Sequence, residues 1–123
     1  MRKFYLILTL VWIVIITFLC LVSLSETSFN TFQNTDKLVH FFFYFTLTLL
    51  MIKSVKNIKK NNYWSIILTT ISYGIVIEVL QGVFTETRKA DFYDVLANST
   101  GVIVAVLLNV YVINRISIRK FKI

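Results

Sequence analysis

Four long apolar runs constrain the fold of this chain more than any other feature. They cover approximately residues 4–24, 38–55, 63–81 and 94–113. A helix that crosses the roughly 30 Å hydrocarbon core of a bilayer needs about 20 mostly apolar residues, and each run approaches that length. We therefore predict an all-α integral membrane protein, a compact bundle of four transmembrane helices that forms a single domain over residues 1–123.

The first run has a basic start, Met1-Arg2-Lys3, as a signal peptide does. Its apolar part is too long for a signal peptide, and no small-x-small cleavage site follows it. Cys20 is the single cysteine, so no internal disulfide can form. We predict that the first run is retained as a membrane helix and that Cys20 is a packed residue of the lipid phase.

Basic and acidic residues occupy different parts of the chain, whose net charge is +7. The N-terminus, the loop at residues 53–62 and the tail at residues 114–123 contain ten of the thirteen basic residues and no acid. Basic segments of this kind face the cytoplasm, so both termini are predicted to be cytoplasmic. The acids then belong to the outward loops or the helix ends beside them: Glu26, Asp36, Glu78, Glu86, Asp91 and Asp94. This separation favours orientation in an anionic membrane over binding of nucleic acid.

Polar side chains inside membrane helices are costly, and here they collect at the predicted outward helix ends. Asp36, His40 and Tyr44 are four residues apart, so they share one face of the second helix. His40 is the only histidine in the chain. A lone histidine is usually a hydrogen-bonded structural residue, and its polar neighbours are what make His40 a candidate for catalysis.

The third run ends with Glu78 and Gln81, which lie one turn apart. Glu78 follows a long apolar stretch, so its least costly state is protonated or paired with an arginine or histidine. The alternative is a hydrated Glu78 at the membrane interface.

The fourth run carries a stripe of polar and small residues. Asp91, Asp94, Asn98, Gly101 and Ala105 fall within roughly 80° of one another on a helix that turns 100° per residue. We predict that this stripe faces the bundle and that Gly101 and Ala105 allow a neighbouring helix to approach closely.

These helix ends are predicted to meet in one polar site. The candidate catalytic residues are His40, Glu78 and Asp94. The candidate binding residues are Asp36, Lys37, Gln81, Arg88, Asp91 and Asn98. The sequence contains no metal-ligand cluster of familiar spacing, no glycine-rich phosphate loop and no clear nucleophile motif, so no metal and no cofactor is predicted.

Three segments, and the order in which they follow one another along the chain, resemble the VanZ-like family of small bacterial membrane proteins. They are DKLVHFFFYF at residues 36–45, EVLQ at 78–81 and TRKADFYDVLANSTG at 87–101, which fits R-x-x-D-x-x-D-x-x-x-N-x-x-G. The positions that correspond to recurring family residues are Asp36, Lys37, His40, Glu78, Gln81, Arg88, Asp94, Asn98 and Gly101. Thr87 and Ala105 stand where the family pattern has glycine, which indicates a tighter or differently shaped entrance.

The resemblance implies a place in the bacterial plasma membrane and a role in the cell envelope. For the name-giving member it implies low-level resistance to the glycopeptide teicoplanin. It does not supply an agreed reaction, and neither the resemblance nor the residue pattern determines the oligomeric state.

Three functions are open at this point. The first is an enzyme or binding site for an anionic envelope lipid or lipid-linked precursor, held at a phosphate or carboxylate by Arg88 and Lys37. In that case His40 and Glu78 act as acid and base, and Asp94 orients one of them. The second is a non-enzymatic protein that binds lipid, glycopeptide or another envelope protein and whose polar cluster joins the helices. The third is a proton-coupled transporter. It is less favoured because the inner halves of the helices lack the ionisable residues that a proton path would need.

The charge pattern predicts the topology directly. The loop after Lys60 should lie in the cytoplasm, because basic loops are retained on that side. Green fluorescent protein fused after Lys60 should therefore fluoresce, and alkaline phosphatase fused at the same position should be inactive. Active alkaline phosphatase at Lys60 would contradict the predicted orientation.

Overall fold

The computed structural model describes residues 1–22, 35–86 and 89–121, with side chains described as far as residue 117. Within these ranges the chain forms four α-helices and no strand. The helices are α1 at Arg2–Leu21, α2 at Thr35–Ser54, α3 at Lys60–Phe84 and α4 at Phe92–Phe121. All four are long and apolar enough to cross a membrane. The predicted all-helical membrane fold is confirmed.

The helices α2, α3 and α4 extend beyond their apolar runs. α2 begins at Thr35 rather than residue 38, α3 covers Lys60–Phe84 rather than 63–81, and α4 continues to Phe121 rather than 113. Apolar composition marks the part of a helix inside the hydrocarbon, whereas backbone hydrogen bonding continues into the polar interface. α1 is the exception, because it ends at Leu21, and the last predicted residues of that run lie outside the described ranges.

Contacts between side chains show that successive helices run in opposite directions. Lys53 at the end of α2 lies 5.3 Å from the ring centre of Tyr5 at the start of α1. Tyr63 near the start of α3 donates a hydrogen bond of 2.7 Å to Asn109 in the second half of α4. Lys37 at the start of α2 lies 3.2 Å from Asp91, which directly precedes α4. One end of the bundle therefore combines the start of α2, the end of α3 and the start of α4.

The core lies along the middle of the bundle. Its most deeply buried side chains include Ile16, Tyr44, Leu47 and Val102. Cys20 is also buried, as expected of a packed residue. Large apolar side chains such as Phe18 and Leu107 remain exposed on the outer surface. In a bilayer this surface contacts lipid, so close packing and polar contacts, rather than exclusion of water, hold the helices together.

The helices α2 and α4 approach each other closely at Gly101 of α4. A Cβ atom at this position would overlap the carbonyl oxygen of Phe41 and would lie 3.1 Å from the backbone nitrogen of Phe45. Both neighbours belong to the backbone of α2 and cannot rotate away. The prediction of a close helix contact at Gly101 is confirmed, and Ala105, one turn further, is fully buried on the same stripe.

We predict that Gly101→Ala destabilises the protein by about 1–3 kcal/mol, the usual cost of overpacking a filled interior. The physical reason is that the new methyl group forces α4 away from α2. Thermal unfolding in detergent measures the effect. Thr100→Ala is the matched control, because Thr100 is adjacent but exposed; equal stability of the two variants would contradict the prediction.

Candidate functional site

Polar residues gather at the end of the bundle where α2 and α4 begin and α3 ends. We call this group the polar cluster, and it consists of Asp36, Lys37, His40, Glu78, Gln81, Asp91, Asp94 and Asn98. Its deepest members are fully buried among apolar helices. Polar groups in such surroundings are stable only if they bind each other or a polar ligand.

His40 is held between α2 and α4. The residue is only 2% exposed, and its Nδ1 atom lies 3.1 Å from Oδ1 of Asn98. An amide oxygen only accepts hydrogen bonds, so Nδ1 carries a hydrogen atom and donates the hydrogen bond to Asn98. This bond fixes the orientation of the ring.

The other ring nitrogen of His40 faces two carboxylates. Nε2 lies 3.9 Å from Oδ1 of Asp36 and 3.7 Å from Oδ2 of Asp94. Neither distance is short enough for a hydrogen bond. Asp36 and His40 are one turn apart on α2, as the i, i+4 spacing predicted.

Lys37 forms ion pairs with two carboxylates. Its Nζ atom lies 3.2 Å from Oδ2 of Asp91 and 3.5 Å from Oδ1 of Asp94. Asp91 precedes α4, and its Oδ1 accepts a hydrogen bond of 2.8 Å from the backbone nitrogen of Tyr93. That bond, followed by the bond to Lys37, lowers the pKa of Asp91 below its ordinary value. Lys37 therefore ties the start of α2 to the start of α4.

Glu78 links α3 to the segment that leads into α4. The residue is 3% exposed, and its Oε1 atom accepts a hydrogen bond of 2.6 Å from the backbone nitrogen of Asp91. The sequence left open whether Glu78 is buried or hydrated. The structure shows it buried, and its described partner is a backbone amide rather than an arginine or histidine.

Several buried polar atoms have no hydrogen-bond partner among the described residues. They are the hydroxyl of Tyr44, Oε2 of Glu78, Oε1 of Gln81, Nδ2 of Asn98 and Oδ1 of Asp94, the last of which has the ion pair with Lys37 at 3.5 Å but no hydrogen bond. All of them belong to the polar cluster except Tyr44, which lies one turn below His40 on α2. An unsatisfied buried polar group costs about 1–3 kcal/mol, so this region is suited to receive a polar ligand or water.

The structure brings the candidate residues of the second, third and fourth helices to one end of the bundle. Arg88 alone lies outside the described residues. The polar stripe on α4 faces inward at Asp94 and Asn98, whereas Asp91 keeps 40% of its side chain exposed. Chemically, a buried imidazole between an amide and two carboxylates can accept or donate a proton or bind a cation.

The sequence did not indicate two features of this site. Asp36, His40 and Asp94 each place one ligand atom within 4.8 Å of the others, which is a metal-sized arrangement. No short sequence spacing signals it, because Asp94 comes from another helix. Tyr44 was predicted to share a face with His40, but its buried hydroxyl near the site was not anticipated.

Comparison with known proteins agrees with the sequence pattern. A family model described as VanZ/LLP1 matches residues 4–114, from α1 to the second half of α4. The match includes the whole polar cluster. No curated protein and no solved structure matches the chain.

The bond between Glu78 and the backbone of Asp91 makes a direct prediction. Glu78→Ala should lower the free energy of unfolding by about 1–3 kcal/mol, because it leaves the Asp91 amide without an acceptor. Glu78→Gln should retain most of the stability, since its amide oxygen can accept the same bond. Thermal unfolding in detergent measures both. Glu86→Ala is the control, because Glu86 is exposed; a Glu78→Ala protein as stable as the control would contradict this role.

Proposed function

The chain belongs to the VanZ-like family, and we propose that its polar cluster binds the head group of an envelope lipid or lipid-linked precursor. In this proposal the protein lies in a bacterial plasma membrane with both termini in the cytoplasm. The polar cluster then faces outward and is reached from the outer leaflet. The distribution of charge supports this orientation, since ten of the thirteen basic residues belong to the N-terminus, the loop at residues 53–62 and the tail at residues 114–123.

The observation that carries the proposal is the set of buried polar atoms without partners. A cluster that served only to join helices would gain most from mutual satisfaction of its hydrogen bonds. Here Gln81 and Asn98 each retain a buried atom with no hydrogen-bond partner among the described residues, and Oδ1 of Asp94 has only the ammonium group of Lys37 at 3.5 Å. The hydroxyl groups of a lipid head group can donate hydrogen bonds to the Gln81 and Asp94 oxygens, and its phosphate oxygens can accept one from Nδ2 of Asn98.

The surroundings of the polar cluster suit a lipid more than a soluble ligand. Leu38 and Val39 on α2 and Phe92 and Tyr93 on α4 are exposed beside it. Aromatic and aliphatic side chains at a membrane interface contact acyl chains and the head-group boundary. A bound lipid would therefore place its head group on the cluster while its chains remain in the bilayer.

A second candidate function is structural, and the interhelical bonds favour it. His40 bonds to Asn98, and Lys37 pairs with Asp91, so the polar cluster already joins α2 to α4. In this alternative the protein acts through binding to another envelope component, such as a glycopeptide or a protein. A proton-coupled transporter is less well supported, because the buried carboxylates and imidazole of the described residues lie at one end only.

Lipid retention tests the proposal. Protein purified in mild detergent is offered phosphatidylglycerol and phosphatidylcholine, and bound lipid is counted by native mass spectrometry. We expect preferential retention of phosphatidylglycerol, reduced about tenfold by Asn98→Ala, which corresponds to roughly 1.4 kcal/mol. The matched control is Asn109→Ala, the same change on the same helix at the opposite end, where Asn109 accepts a bond from Tyr63.

Two results would contradict lipid binding as the function. One is equal retention of both lipids by the unaltered protein. The other is an Asn98→Ala protein that unfolds more easily than Asn109→Ala but binds the same amount of lipid per folded molecule, which supports the structural alternative. In cells, we propose that the family's link to teicoplanin acts through this lipid site, so Asn98→Ala should also lower any resistance that expression confers.

A further inference from the structure

The side chains of Asp36, His40 and Asp94 form a group with the composition of a metal site. Each offers one ligand atom, and the three atoms lie within 4.8 Å of one another. Asp36 and His40 come from successive turns of α2, and Asp94 comes from the first turn of α4. The close packing of these two helices at Gly101 fixes their relative position.

The protonation of His40 leaves one nitrogen available. Because Nδ1 donates to Asn98, a neutral ring presents the lone pair of Nε2 to the carboxylates of Asp36 and Asp94. Such a lone pair is repelled by carboxylate oxygens unless a positive charge lies between them. Metal-bound histidines usually show this arrangement, with the second ring nitrogen donating to an oxygen that fixes the tautomer.

The described part of the polar cluster is rich in carboxylates. It contains four carboxylates, one histidine and one lysine, and Lys37 is shared between Asp91 and Asp94. The side chain of Asp94 is only 8% exposed, and the Nζ atom of Lys37 lies 3.5 Å from its Oδ1 atom. Its other oxygen, Oδ2, faces Nε2 of His40 at 3.7 Å, too far for a hydrogen bond. A buried carboxylate oxygen that faces a ring nitrogen without a hydrogen bond between them indicates that a cation binds there.

We propose that Asp36, His40 and Asp94 bind a divalent metal ion of the Mn²⁺ or Zn²⁺ type. One imidazole and two carboxylates suit these ions, and three protein ligands leave coordination positions open. The metal site stands on its own geometry. Its further role rests on the proposed function: the open positions accept phosphate oxygens of an anionic lipid, for which the described part of the cluster otherwise offers only the already paired Lys37.

The geometry needs only a small adjustment. Ligand atoms about 2.1 Å from one ion can be at most about 4.2 Å apart, and Nε2 already lies 3.7 Å from Asp94 and 3.9 Å from Asp36. The side chain of Asp36 is 46% exposed. An ion can therefore reach the site from the interface, while His40 and Asp94 hold it from below.

The single histidine makes the test specific. Protein freed of any affinity tag and of metal is titrated with Mn²⁺, and the bound ion is examined by electron spin echo spectroscopy. We expect one class of tight site with coupling to an imidazole nitrogen, which can come only from His40. Zn²⁺ should displace the Mn²⁺.

Variants then assign the ligands. His40→Gln should remove the nitrogen coupling, and Asp94→Asn should abolish tight binding. Asn98→Ala, which alters only the residue that orients the ring, should weaken binding about 10- to 100-fold and retain the coupling. Glu86→Gln is the matched control for the loss of a carboxylate, because Glu86 is exposed outside the polar cluster.

The unaltered protein decides the proposal even if a variant fails to fold. Absence of tight Mn²⁺ binding, or bound Mn²⁺ without nitrogen coupling, would overturn it and leave a protonated His40 between the carboxylates. Lipid retention measured with and without Mn²⁺ separates the two proposals. Retention of phosphatidylglycerol by a protein that binds no metal overturns the metal site alone, whereas metal binding without lipid preference overturns the lipid site alone.

Discussion

The contact of α2 with α4 at Gly101 is the constraint on which the rest of the site depends. Because Gly101 has no side chain, the backbone of α4 packs directly on Phe41 and Phe45 of α2. In a bilayer, where apolar surfaces gain little by meeting each other, such close packing is a main source of helix association. It also brings His40 within hydrogen-bond distance of Asn98, one turn closer to the polar end.

The third helix is attached to this pair by a different kind of contact. Glu78 binds the backbone amide of Asp91, and Asp91 in turn pairs with Lys37 of α2. The segment before α4 is thus a meeting point for α2 and α3. The backbone amide satisfies one oxygen of Glu78 without adding a positive charge, and the described part of the polar cluster remains rich in carboxylates.

Much of the site could be anticipated from spacing alone. The i, i+4 separation of Asp36 and His40 and the stripe on α4 that includes Asp94 and Asn98 follow from helical periodicity, and the structure shows both. The partner of Glu78 could not be anticipated, since a backbone amide leaves no sequence signal. Nor could the three-residue ligand group, because Asp94 reaches it only through the packing of α4 on α2.

The sequence by itself determined that the chain forms four membrane helices, because apolar length must match the thickness of the hydrocarbon core. It also determined the family and the end of the bundle at which polar residues gather, since acids and bases are separated along the chain. Only the tertiary structure decided which polar atoms bind one another and which remain without partners. Those outcomes depend on distances between helices, and such distances follow from side-chain packing at positions far apart in the sequence.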